Sequence, residues 1–412
     1  MNFEHSERSR EYVARVSEFM QRYVLPNENR IIQDNHANNG HGNWRQWQLN
    51  PTVQELKNKA KAEGLWNLFL PDATLGQGLS CVDYAPVAEA MGQSLLAPEI
   101  FNCNAPDTGN MEVLYHFGSE EQKARWLTPL LSGEIRSVFG MTEPDVASSD
   151  ATNMQVTITP DGDELVINGS KWWTTGLGHP NARIAIVMGL SNPDAEKHSR
   201  HSMVLVPLDT PGLTIKRMLT AYGDYDAPYG HGEMHFDNVR VPASHVIMGL
   251  GKGFAIAQGR LGPGRVHHCM RAIGAAERAL SLMICRGASR VAFGLPIIKL
   301  GGNLERVADA RMLIDQARLL TLSAAWKIDN VGVKQAMTEI SAIKVVVPNM
   351  LQQVVDMAIQ IHGGAGMCGD FPLAGFAAMA RSLRLADGPD EVHKAMVSRL
   401  ELAKYKAADA AK

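Results

Sequence analysis

Gln360-Ile361-His362-Gly363-Gly364-Ala365-Gly366-Met367-Cys368-Gly369-Asp370-Phe371-Pro372 is the stretch on which the fold turns. Within it, Gly364-Ala365-Gly366-Met367-Cys368-Gly369 spells the Gly-x-Gly-x-x-Gly string of dinucleotide-binding α/β sheets. That string needs a strand before the first glycine and a helix opening after it, so that a pyrophosphate meets the helix N-terminus. Here Ile340, Ile343, Val347, Met350, Val354, Ala358 and Ile361 recur every three or four residues up to the glycines. The lead-in is therefore helical over about twenty residues. Asp370-Phe371-Pro372 follows. The glycines end a helix and let backbone approach something closely. A doubly wound nucleotide fold is excluded, and no Walker A string occurs.

Outward from that turn the same period persists. Val307, Ala310, Ile314, Ala317, Leu320, Ala324 and Ile328 form a second stripe, as expected of long antiparallel bundle helices. Before Gly249-Leu250-Gly251-Lys252-Gly253 the period changes. Thr152–Thr159 alternates, Asp161-Gly162 signals a turn, and Leu165-Val166-Ile167, Arg183–Met188, Met203–Val206 and Leu213–Lys216 are short β-like runs. Their connections are too short for βαβ crossovers, so an antiparallel β-barrel is expected. Residues 4–132 are helical in pattern, with Ser119 capping Glu120-Glu121-Gln122. Residues 27–51, polar and rich in asparagine, read as a long surface loop or insertion. The expected organisation is a mainly α chain with a central β domain: an N-terminal helical domain (1–134), a middle β domain (135–248) and a C-terminal four-helix bundle (249–412).

Composition narrows the function. Of 412 residues, 45% are hydrophobic and 20% charged, which is ordinary globular composition. A net charge of -3 gives no reason to expect nucleic acid or an anionic membrane. The longest apolar runs, Lys344–Pro348 and Arg183–Leu190, are too short to span a bilayer, so no membrane insertion is expected. The opening residues, Met1 to Arg8, lack the apolar core of a signal peptide, and a cytoplasmic location is expected. Cys81, Cys103, Cys269, Cys285 and Cys368 have neither disulfide nor zinc spacing. His267 and His268 point about 100° apart on a helix and cannot share one ion. No metal is expected.

Four segments together resemble the acyl-CoA dehydrogenase family. Phe139-Gly140-Met141-Thr142-Glu143-Pro144-Asp145-Val146-Ala147-Ser148-Ser149-Asp150 is similar to its Thr-Glu-Pro-x-Ala-Gly-Ser-Asp flavin loop, with one residue inserted. Lys171-Trp172-Trp173-Thr174-Thr175-Gly176 resembles the second flavin strand. Arg290-Val291-Ala292-Phe293-Gly294 and Gln360–Gly366 resemble the Arg-x-x-Phe-Gly and Gln-x-x-Gly-Gly-x-Gly motifs. The resemblance covers essentially the whole chain. It implies an FAD-dependent oxidoreductase of fatty acid β-oxidation type, acting on an acyl-CoA thioester and passing electrons to an electron-transfer flavoprotein. It also implies a homo-oligomer, usually a dimer of dimers (a homotetramer), because FAD is shared between chains. Phe139, Met141, Thr142, Ser148, Trp173, Thr174, Thr175, Arg290, Gln360, Gly363, Gly364 and Glu391 are the implied cofactor-binding positions.

α,β-Dehydrogenation needs a carboxylate over the α-carbon and a polarised thioester carbonyl. Counting fifteen residues from Pro372, as the family does to its glutamate, reaches Asp387 in Leu385-Ala386-Asp387-Gly388-Pro389-Asp390. The resemblance makes Asp387 the catalytic base and puts the Gly388 N–H on the thioester oxygen, with Ser149 and Arg265 as further substrate contacts. Asp390 is the rival carboxylate, suited also to capping the last helix. The acid of the family's Asp-x-x-Arg is lost in Gly262-Pro263-Gly264-Arg265, Leu300-Gly301 stands where a His-Gln pair is usual, and Ala378-Met379 replaces an Arg-Asp pair. The strings around Met141, Gly262 and Leu385 look most like the branch of family members ten and eleven, without its kinase-like domain; that branch implies longer or 4-hydroxylated acyl-CoA. A flavin oxidase of nitroalkane-oxidase type and a DNA-associated flavoprotein of the same fold are the alternatives. Reoxidation by oxygen separates the oxidase, and a basic C-terminal surface the DNA-associated protein.

Overall fold

The computed structural model describes residues 4–410, so Met1-Asn2-Phe3, part of the stretch read for a signal peptide, and Ala411-Lys412 lie outside the described residues. Among the described residues, eight α-helices come first: α1 (Glu7–Phe19), α2 (Glu28–Asn39), α3 (Pro51–Ala62), α4 (Cys81–Met91), α5 (Ala97–Ile100), α6 (Asp107–Phe117), α7 (Glu120–Gln122) and α8 (Thr128–Leu131). Strands follow: β1 (Arg136–Gly140), β2 (Thr157–Asp161), β3 (Glu164–Thr175), β4 (Ala182–Leu190), β5 (His201–Pro207), β6 (Leu213–Leu219) and β7 (His231–Pro242). The chain then returns to helix in α9 (Gly253–Ser289), α10 (Asn303–Val331), α11 (Met337–His362), α12 (Leu373–Leu383) and α13 (Asp390–Ala410), with a small hairpin of β8 (Val291–Ala292) and β9 (Leu295–Pro296) after α9. These elements form two compact units. A helical unit holds residues up to Asn29, Pro71–Pro98 and everything from Gly262; a sheet unit holds Arg30–Leu70 and Glu99–Leu261. The N-terminal helices are thus divided, α1 and α4 joining the C-terminal helices.

In the sheet unit the strand order is β1-β4-β2-β3-β7-β6, with β5 on β4. The sheet is not wholly antiparallel. β1 and β4 run parallel, with Phe139 beside Ile186. Residues 141–181 supply a connection long enough for a parallel return, although they form a loop and a hairpin and no crossover helix. The β2–β3 turn falls at Gly162, whose φ of 62° suits glycine. β7, absent from the sequence reading, alternates Gly232, Met234 and Phe236 inward and packs them with Ile158, Ile167, Val187 and Val204.

The segment 27–51, expected as a loop, is largely ordered structure. It contains α2, a short turn at Trp44–Gln46, and Trp47 buried to 4% in the sheet core. Asn39 accepts from the Gln48 N–H and donates to the Gln48 carbonyl, while the Trp47 indole donates to His41. Burial of Ile31 and Trp47 overrides a run of poor helix formers.

The helical unit follows the stripes. Ala310, Ile314, Ala317 and Ala324 of α10, and Ile340, Ile343, Val347, Met350, Val354 and Ala358 of α11, are buried. Met337–Met367 is long and apolar enough, by length and composition alone, to cross a bilayer, where the sequence reading found only short apolar runs. Here it packs against α10, α12 and α13 as a core helix. It ends as expected: Gly363, with φ of 63°, stops α11 and residues 363–367 form a tight turn.

Candidate active site

In the helical unit, the connection from α12 to α13 carries the expected base. Asp387 has φ of 55° and Gly388 φ of 99°. A left-handed aspartate costs about 1–3 kcal/mol and persists only where its surroundings impose it. They do. Lys344 of α11 donates to the carbonyls of Leu383 (2.6 Å) and Ala386 (2.9 Å). Arg265 of α9 and the Nε2–H of His393 of α13 both donate to the Asp387 carbonyl, at 3.2 and 3.1 Å. Burial lowers the pKa of Lys344 and of Arg265, and Asp387 opposes it in both. Burial, with Arg265 and Lys344 nearby, takes His393 down to about 4, so the ring is neutral and its Nε2 carries the proton that reaches the carbonyl. A side chain at 388 would meet His393 Nε2 at 2.9 Å, so glycine is required twice over.

With its carbonyl clamped, Asp387 keeps a half-buried carboxylate whose Oδ2 lies 3.6 Å from Nε2 of His268. The rival carboxylate is engaged elsewhere. Asp390 is buried, and its Oδ2 accepts from Arg384 Nε (2.8 Å) and Asn349 (3.2 Å). Arg265, expected on the CoA side, is buried and donates to the Asp387 carbonyl. Lys344, His393 and His268 were not singled out by sequence. The one available signal was Lys344 falling inside the apolar stripe of α11, where a lysine needs partners.

In the sheet unit the two flavin-like segments meet. Glu143, buried, accepts from the backbone N–H of Gln155 (2.7 Å) and Val156 (2.9 Å) and from Lys171 Nζ (2.7 Å). Lys171, fully buried, also donates to the Met141 carbonyl, and the Trp172 N–H to the Thr142 carbonyl. Ser148 Oγ accepts from the Glu143 N–H, which braces the loop from within, while Ser149 is exposed. Phe139 is half-buried in β1. Between Lys171 and Thr174 the pairing of β3 with β7 slips. The bulge puts Trp173 at φ of 51° and leaves it 43% exposed, while Thr174 is buried. Trp173 lines an open cavity of about 420 Å³ with Met218, Leu219 and Tyr225. Thr175 Oγ1 lies 3.0 Å from Nδ1 of His231, whose Nε2 is 3.5 Å from Asp226.

The remaining expected positions are on the surface of the helical unit. Arg290 is exposed at the foot of the β8–β9 hairpin, and Phe293 at its tip has φ of 52° and is 97% exposed. Gln360, Gly363 and Gly364 are exposed at the end of α11, and Glu391 in the first turn of α13.

Sequence comparison matches three consecutive families: acyl-CoA dehydrogenase N-terminal domain over residues 6–134, middle domain over 138–239 and C-terminal domain over 251–402. The chain belongs to the acyl-CoA dehydrogenase family. Its helical, sheet, helical order is the acyl-CoA dehydrogenase fold. It is 52% identical over 402 residues to acyl-CoA dehydrogenase family member 11 of Gallus gallus, covering 97% of this chain and 51% of that protein. The chain therefore spans about half the length of that vertebrate relative. It is 50% identical over 412 residues to "Probable acyl-CoA dehydrogenase FadE2" of Mycobacterium tuberculosis, covering 100% of this chain and 99% of that one. Among solved structures, a Mycobacterium abscessus protein assigned by its name to the acyl-CoA dehydrogenases superposes with a TM-score of 0.95 at 59% identity, covering 98% of this chain and all of that one. Butyryl-CoA dehydrogenase of Megasphaera elsdenii gives 0.80 at 25% identity, covering 98% and 100%.

Proposed function

We propose that this acyl-CoA dehydrogenase family member removes the α-proton and β-hydride of an acyl-CoA thioester to give a 2-enoyl-CoA, using FAD and delivering electrons to an electron-transfer flavoprotein. The observation that carries the reading is Asp387: a carboxylate on a left-handed turn, its carbonyl clamped by Arg265 and His393, its Oδ2 facing His268.

The sheet unit suits FAD. Trp173 offers an exposed indole face beside a cavity, Thr175 a hydroxyl two residues on, and the buried Thr174 Oγ1 and Trp172 Nε1 have no hydrogen-bond partner among the described residues. Met141, Thr142, Trp173 and Thr175 would hold the flavin ring, with Ser148 toward the pyrophosphate. Arg290, Gln360, Gly363, Gly364 and Glu391 would serve the FAD of a second copy, a reading supported by the exposure of Arg290 and Phe293. A guanidinium there matches a diphosphate with forked donors. When bound, FAD supplies the acceptor for the β-hydride. The chain's own part is on the other carbon. Asp387 takes the α-proton and becomes the carboxylic acid, and the Gly388 N–H polarises the thioester oxygen as charge develops there. Aspartate is one methylene shorter than the family's glutamate, and the left-handed φ directs the shorter side chain. The substrate class we favour is the longer or 4-hydroxylated acyl-CoA of the member-eleven branch.

Asp387→Asn decides the base. The variant should keep yellow FAD yet lose its anaerobic bleaching by acyl-CoA; bleaching at the wild-type rate removes Asp387 from the mechanism. An anaerobic acyl-CoA screen by bleaching assigns chain length, and rapid reoxidation of the reduced enzyme by oxygen would refute the dehydrogenase in favour of an oxidase.

A further inference from the structure

One face of α9 presents two side chains to the base loop. Arg265 reaches the Asp387 carbonyl, and His268, one turn further on, reaches the Asp387 carboxylate. His268 is itself anchored: Arg271 NH2 lies 3.1 Å from its Nδ1. A guanidinium has donors and no acceptor, so Nδ1 must present its lone pair to Arg271. A neutral imidazole with Nδ1 accepting carries its proton on Nε2, and Nε2 is the nitrogen facing Asp387 Oδ2. Arg271 is buried, and the end of α4 passes so closely that a side chain on Gly92 would meet the Arg271 carbonyl at 2.1 Å.

We infer that His268, fixed by Arg271 as the Nε2–H tautomer, is a positioning residue for Asp387, donating to Oδ2 so that the carboxylate is oriented and held ionised to take the α-proton. The inference rests on Asp387 being the base. His268 does not relay the proton, because Nε2 already holds one and Nδ1 is occupied. The 3.6 Å separation shortens to a hydrogen bond with a side-chain shift of about 0.5 Å, as catalytic contacts commonly do on substrate binding. Among the described residues, the other ionisable groups that act on the pair are Arg265, His267, Cys269 and Arg271 on α9, Lys344 on α11 and His393 on α13. His267 is turned away against the ring of Tyr84.

The test uses the FAD-loaded enzyme and its flavin-free form. In the pH profile of anaerobic flavin bleaching by acyl-CoA, His268→Leu should move the acid limb upward by about one pH unit, the loss expected for one hydrogen bond to a charged group. His268→Gln, whose amide N–H can replace Nε2–H, should restore the limb, whereas a merely structural role would leave both limbs where they are. Nitrogen-15 NMR of histidine-labelled flavin-free protein gives the second readout. Nε2 of His268 should carry the proton in wild type, and Arg271→Met should make the tautomers mix. An unmoved acid limb in both His268 variants, or a proton on Nδ1, overturns the inference. If bleaching is lost in Asp387→Asn, the base assignment stands even then; if Asp387→Asn still bleaches, the base assignment itself fails.

Discussion

Lys171→Met tests the architecture on which the loop proposed to face the flavin rests. Lys171 is fully buried, and its ammonium holds Glu143 together with the N–H groups of Gln155 and Val156. Burial, partly offset by Glu143, takes Lys171 down to about 8, so the pair is costly to bury and dependent on both members. Methionine matches the unbranched stem but strands the Glu143 carboxylate in a site built for a cation. Removing one partner of a buried pair costs about 3–5 kcal/mol. At the lower figure, local opening of the loop becomes about a hundredfold more populated. Hydrogen exchange followed by mass spectrometry over residues 150–160 reads this directly, because the Gln155 and Val156 amides are bonded to Glu143. Adding Glu143→Gln to Lys171→Met removes the stranded charge while keeping an acceptor, and should recover most of the protection. Exchange unchanged in the single variant, or a double variant no better protected than the single, would refute the reasoning.

Acid sensitivity should centre on Glu99, held to about 2 because Arg136, Lys57 and His179 outweigh the burial that would raise it. A carboxylate lowered in the fold stabilises fully above its ordinary value and loses that contribution as pH falls through the folded one, so stability of the sheet unit should fall between about pH 4.5 and 2, and Glu99→Gln should flatten that fall in an acid titration of tryptophan fluorescence. Arg290→Ala should release FAD on gel filtration at dilutions where wild type retains it; equal retention would make the arginine a surface charge. Gly274→Ala should destabilise by about 1–3 kcal/mol in thermal unfolding, because its methyl group would lie 1.9 Å from the Glu89 carbonyl of α4, while Gly264→Ala, which meets nothing within 4 Å, serves as the tolerated control.

The division between what was readable in the chain and what was not follows the range of the forces involved. Hydrophobic period is local, so the two long stripes, the helix end at Gly363, the Ser119 cap and the change to β structure were all legible, and motif order carried the family. The position of Asp387 came from counting. Its left-handed backbone, and the convergence of Lys344, Arg265, His393 and His268 on one loop, draw on residues from three helices, Arg265 lying 122 positions away, which no local pattern encodes. The same holds for the helix within 27–51 and for the parallel β1–β4 pairing: tertiary burial of Ile31 and Trp47 overrode weak propensity, and a long connection allowed the return. The sequence by itself determined the long amphipathic helices, the change to β structure and which side chains can do the chemistry. Only the packed chain decided how two nearby aspartates are used, because a carboxylate is claimed by whichever groups the fold brings within reach: Arg384 holds Asp390, and Oδ2 of Asp387 faces His268.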